Sequence, residues 1–121
     1  MELNYLLDTN IVLYHLGGKL REPLPDGRFI VSFVTEIELL SYPDLTEADE
    51  LVIRDFPGKI QIVGLTQEIK DRKISLRRGA RLKTPDALIA ATAIIYDTCV
   101  LTNDTQFQRI GELRCKALPI K

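Results

Sequence analysis

Five short apolar runs, alternating with segments that carry helix punctuation, constrain this chain more than any other feature of it. The runs are Asn4–Leu7, Phe29–Val31, Ile60–Val63, Val100–Leu101 and Cys115–Leu118. Strands separated in this way by helices imply an α/β domain with a mainly parallel sheet covered on both faces. The punctuation between the runs agrees. Asp8-Thr9-Asn10 offers caps before Ile11–Tyr14, and Gly17-Gly18 stops that helix. Pro23, Pro25 and Gly27 mark an irregular loop. Ser32 is a helix N-cap, and Thr35-x-x-Glu38 has the form of a capping box. After Tyr42-Pro43, Thr46 opens an acidic helix that runs toward Phe56 and halts at Pro57-Gly58. Thr66 caps a long basic helix ending near Gly79, and Thr84-Pro85-Asp86 starts an apolar one through Tyr96, with proline at the first helical position. At 121 residues the whole chain, 1–121, reads as a single domain able to bury a core unaided.

What the chain lacks narrows its chemistry. One histidine, His15, and two cysteines, Cys99 and Cys115, leave almost no material for a catalytic triad or a zinc site. His15 is given no catalytic role, and the cysteines read as reduced core thiols of a cytoplasmic protein. No apolar run approaches the ~20 residues of a membrane span, and Met1-Glu2-Leu3-Asn4 has no signal-peptide layout. Tyr5, Tyr14, Phe29, Phe33 and Phe56 read as core residues rather than base-stacking platforms. Any chemistry falls to carboxylates.

The net charge of −1 hides an asymmetry: the first 56 residues hold 4 basic and 11 acidic side chains, the remainder 12 and 6. The basic excess concentrates in Lys70, Arg72, Lys73, Arg77, Arg78, Arg81 and Lys83, opposed in that stretch only by Asp71. Such a run is either a solvated helix face or a phosphate-contacting strip.

In open α/β sheets ligands bind beyond the carboxyl ends of the strands. Asp8 follows the first run and Asp104 the fourth, Asp86 opens a helix, and Glu38 lies in the helix after the second run. Leu6-Leu7-Asp8-Thr9-Asn10, Ser32-x-x-Thr35-x-x-Glu38-Leu39, Pro85-Asp86-Ala87-x-Ile89-Ala90-Ala91-Thr92-Ala93 and Leu101-Thr102-Asn103-Asp104-x-x-Phe107 occur in that order. Together they resemble the PIN domain, and more narrowly its small VapC-type members, the toxins of toxin–antitoxin pairs. The likeness covers nearly the whole chain; residues 17–27 depart from it, a short Gly/Pro loop where many relatives carry more helix.

The resemblance implies a three-layer α/β/α domain with strand order 3-2-1-4-5 and a divalent-metal-dependent ribonuclease. It also implies an RNA substrate, a small antitoxin partner and a homodimer. Crowded carboxylates without histidine or cysteine select Mg²⁺ or Mn²⁺. On this basis Asp8, Asp86 and Asp104 are direct or water-mediated ligands, and Glu38 holds a water or helps deprotonate the nucleophile. Asn10, Thr102 and Asn103 orient ligands or touch phosphate, and Lys70, Lys73, Arg77, Arg78, Arg81 and Lys83 bind RNA. Two alternatives stand beside this: a non-catalytic RNA-binding or scaffold module on the same fold, and a phosphatase with Asp8 as nucleophile. The phosphatase would want Asp-x-Asp, where this chain has Asn10.

Helical period does not choose between Glu36 and Glu38. With Phe33, Val34, Ile37 and Leu40 as the apolar face, the two acids fall on its opposite flanks. Only the family pattern selects Glu38.

Overall fold

The computed structural model describes residues 4–54 and 60–121. Its elements follow in the order β1 (Asn4–Leu7), α1 (Thr9–Leu16), β2 (Arg28–Ser32), α2 (Phe33–Leu40), α3 (Glu47–Arg54) and β3 (Ile60–Val63). Then come α4 (Gln67–Ala80), α5 (Thr84–Ile95), β4 (Cys99–Leu101), a 3₁₀ turn (Thr105–Arg109) and β5 (Arg114–Lys116). The five strands pair in parallel, in the order β3-β2-β1-β4-β5, as the resemblance implies.

Side-chain alternation along the strands divides the core in two. Tyr5 and Leu7 of β1 join Phe29, Val31 and Leu101 against Ile11, Val12, Leu39 and Ile53, on the side of α1 and α3. Leu6 and Val100 point the other way, into a second cluster with Ile69 and Leu76 of α4 and Ala87, Ile89 and Ala90 of α5. Because both faces are covered, the central strands read as unbroken apolar runs. Tyr5 and Phe29, paired across β1 and β2, stack with centroids 5.8 Å apart. Tyr14 and Phe33 pack partly buried at the edges of the two clusters.

The chain order reverses between β1 and β4, which sit side by side with Leu7 opposite Leu101. The ladder continues one residue further on each: the Asp8 amide donates to the Leu101 carbonyl at 3.1 Å, and the Thr102 amide to Lys116 at 3.1 Å. Asp8 and Thr102 therefore leave the sheet together, at its topological switch point.

Two local expectations change, one element is new, and one expectation lies partly outside the described residues. The final strand is Arg114–Lys116 rather than Cys115–Leu118, and Leu118 is instead buried under the α1 side. Thr105–Arg109, unread in the sequence, forms a 3₁₀ turn capped by Asp104. The acidic helix is described to Arg54; Phe56 and the Pro57-Gly58 stop lie outside the described residues. The largest change is the rotation of α2. Its buried residues are Val34, Thr35 and Leu39, while Ile37 is 58% exposed. Ser32 caps the helix by accepting from the Val34 amide, so Thr35 is already inside it and forms no capping box with Glu38. Thr35 is tolerated inside because its hydroxyl has a partner, Thr9 Oγ1, at 3.0 Å. With Val34, Thr35 and Leu39 inward, Glu38 lies beside the buried face, and Glu36 far round the helix from it.

Candidate active site

Asp8 begins the site because it is both the residue after β1 and the N-cap of α1. One oxygen, Oδ1, accepts from the Thr9 amide at 2.8 Å. The other, Oδ2, accepts from the Thr102 hydroxyl at 2.7 Å. Thr102 Oγ1 in turn accepts from the Asp104 amide at 3.0 Å, and Asp104 Oδ1 accepts from the Gln106 amide at 2.9 Å. Thr102, 94 positions from Asp8, thus ties that residue to Asp104.

Thr9 performs the corresponding service on the other side. Its amide holds Asp8, and its hydroxyl donates to Glu38 Oε1 at 2.7 Å. Neither Thr9 nor Thr35 was singled out from the sequence as a site residue. The available signal was the spacing itself: Thr35 and Glu38 stand three apart on one helix, so they share a face.

Asp86 enters from α5, in the first turn behind Pro85, where the helix dipole favours negative charge. Burial raises the pKa of Asp86, and the charges of Asp104, Asp8 and Glu38 raise it further, against a lowering by Lys83. Burial also raises the pKa of Asp8; the hydrogen bonds from Thr102 and Thr9 oppose this, and Asp104 and Glu38 add to it. All four acids therefore share one electrostatic neighbourhood, with Lys83 as the cation felt inside it. Among the described residues no three Asp, Glu, His or Cys side chains converge as a ready-made ligand set. The donor chemistry nevertheless fits a hard divalent cation: oxygen only, mutually repelling, and with lone pairs left after the hydrogen bonds named.

The other sequence candidates divide. Asn10 is exposed on α1. Asn103 is engaged elsewhere: its Nδ2 donates to the Leu118 carbonyl and its Oδ1 accepts from the Leu118 amide, both at 2.8 Å. It fastens the C-terminal segment. His15 is exposed. Cys99 and Cys115 are half-buried free thiols whose pKa values burial raises, as inert thiols require.

The basic run splits on α4. Ile69 and Leu76 face the core. Lys70, Lys73 and Arg77 share one flank, and Arg77 reaches Thr84 at the head of α5. Arg72, on the other flank, is neutralised by Glu112 at 3.1 Å. Among the described residues Lys70, Lys73, Arg77, Arg78, Arg81 and Lys83 have no acidic partner within salt-bridge distance. Arg81 ends α4 in the left-handed region, φ 55°, where glycine is the usual occupant.

A parallel 3-2-1-4-5 sheet with four carboxylates about its switch point defines an acid-centred, doubly wound α/β protein. The chain belongs to the PIN domain family, whose model matches residues 5–113. Among solved structures it is similar to a toxin–antitoxin complex from Klebsiella pneumoniae, at 28% identity and a TM-score of 0.73, covering 90% of this chain and 94% of that one. VapBC2 from Rickettsia felis, bound to a DNA fragment from its promoter, matches at 20% identity and a TM-score of 0.79, covering 97% and 100%. VapBC-1 from nontypeable Haemophilus influenzae matches at 23% and 0.74, covering 95% and 98%. No curated protein matches the chain in sequence.

Proposed function

We propose that this protein is a divalent-metal-dependent endoribonuclease acting as the toxin of a toxin–antitoxin pair. The observation that carries the reading is that Asp8 is tied through the Thr102 hydroxyl to the Asp104 amide and through Thr9 to Glu38, with Asp86 close enough that the charges of Asp104, Asp8 and Glu38 raise its pKa. Asp8, Asp86 and Asp104 are the residues to hold Mg²⁺ or Mn²⁺, directly or through water. When bound, such an ion lowers the pKa of water and offsets charge at a phosphorus undergoing in-line displacement. Glu38, exposed and oriented by Thr9, is the base for the attacking water's proton as the P–O bond to the leaving group breaks. Asp8 is rigidly held at both oxygens, which suits a ligand and disfavours the attacking nucleophile of a phosphatase.

RNA is the proposed substrate, its backbone drawn toward Asp86 along Lys70, Lys73, Arg77, Arg78, Arg81 and Lys83, which have no acidic partner among the described residues. The solved relatives are toxin–antitoxin complexes, which supports a small antitoxin as partner. The family resemblance adds a homodimer in the cytoplasm. Among the described residues no helix is long and apolar enough to cross a membrane.

The test is RNA cleavage by purified protein with Mg²⁺ or Mn²⁺ and with EDTA, beside Asp8→Asn. Cleavage is expected only with metal and only in the wild type. Asparagine remains an N-cap and removes a charge that burial disfavours, so the variant should melt at or above the wild type in EDTA. Equal cleavage by wild type and variant would refute the proposal.

A further inference from the structure

We propose that Thr9 is a positioning residue that holds Glu38 in its working orientation. The inference rests on the nuclease reading above and assigns a role to a side chain outside the acidic set. Proton counting supplies the argument. The Thr9 hydroxyl donates to Glu38 Oε1 at 2.7 Å, which spends its single proton there. The 3.0 Å contact with Thr35 Oγ1 must then run the other way, with Thr35 donating to Thr9. The result is a directed chain, Thr35 to Thr9 to Glu38, whose first two members are buried while the third is exposed. Chains of this kind polarise each member toward the terminal acceptor.

Geometry makes this more than a packing contact. An exposed glutamate loses rotamer freedom when it is held, so the orientation needs a fixed donor. Thr9 is fixed three times: by the start of α1, by burial, and by its amide bond to Asp8 Oδ1. A single residue therefore sets the relation between two carboxylates that lie 30 positions apart in sequence. Partners of ligating groups commonly cost ~10–100-fold in metal affinity or activity when removed.

The experiment compares wild type, Thr9→Val, Thr9→Ser, Glu38→Gln and the Thr9→Val/Glu38→Gln double variant. RNA cleavage rates, Mn²⁺ affinity by titration calorimetry and melting temperature in EDTA are read for each. Thr9→Val should lower kcat by ~10–100-fold with KM for RNA little changed, and should weaken Mn²⁺ binding. Thr9→Ser should restore both, and Thr9→Val should cost nothing further once Glu38→Gln is present. If Thr9→Val does not melt cooperatively, Thr9→Ala takes its place. Wild-type kcat and Mn²⁺ affinity in Thr9→Val, or losses that add to those of Glu38→Gln, would overturn the positioning role. A wild type that neither binds Mn²⁺ nor cleaves RNA would instead overturn the nuclease reading itself.

Discussion

Replacing Thr102 by valine removes one oxygen and with it two bonds. The first is the hydroxyl donation to Asp8 Oδ2 at 2.7 Å, a bond to a charged acceptor worth ~1.5–3 kcal/mol. The second is the Asp104 amide's acceptor at 3.0 Å; the amide is only part-buried, so its loss costs ~1 kcal/mol, the low end for such groups. Together they give ~2.5–4 kcal/mol. A chain of this length unfolds with an entropy of ~0.25 kcal/mol per kelvin, so the melting temperature should fall by ~10–16 °C in EDTA at neutral pH. The loss should also depend on pH. Burial raises the pKa of Asp8 and the Thr102 bond lowers it, so removing the hydroxyl raises the folded pKa further. The charge-dependent part of the bond's contribution is therefore full above the variant's higher folded pKa and is lost as pH falls from there through the wild-type value. Calorimetric melts of both proteins from neutral pH down into the acid range test this. Equal melting temperatures at neutral pH, or a gap that widens in acid, would refute the reasoning.

Glu38→Gln should lower the RNA-cleavage rate by ~10²–10⁴-fold, the usual span for a general base, and Glu36→Gln should stay near wild type; initial rates at saturating Mn²⁺ decide between them. Changing Arg77, Arg78 and Arg81 to Glu should weaken RNA binding and flatten its slope of log K against log salt by ~2, at ~0.7 per phosphate contact for single strands. That titration, run on Asp8→Asn protein, should show little change for Arg72→Glu, because Glu112 already neutralises Arg72.

The parts of this structure legible in the sequence are those fixed locally. Ser32 and Thr66 cap the helices they introduce, and the five strands lie where the apolar runs do, the last displaced by a residue or two. The α2 face was misjudged for a definite reason. The apolar pattern of Phe33, Val34, Ile37 and Leu40 turns Ile37 inward, but Thr35 meets Thr9, 26 residues away, and that hydrogen bond offsets the cost of burying its hydroxyl. The family pattern named Glu38, and the rotation explains it, because only the observed face brings that acid to Thr9. Asn103 lies among site neighbours in sequence, while its side-chain amide pairs with Leu118, which no local pattern announces. Thr9 and Thr35 were hidden because a threonine beside a helix start reads as a cap.

The pairing of β1 with β4 also fixes when the acidic set comes into being. Strands adjacent in the sheet are separated in the chain by the whole of α1, β2, α2, α3, β3, α4 and α5. Asp8 leaves the ribosome early, and its neighbours across the switch point, Thr102 and Asp104, leave close to 100 residues later. At ~5–20 residues per second that interval lasts several seconds, during which the growing chain gains Glu38 and Asp86 but still lacks Thr102 and Asp104. Closing so long a loop is a late event in folding as well. A fragment interrupted anywhere before β4 is built without Thr102 and Asp104, so the four acids can be set against one another only once nearly the whole chain has been made.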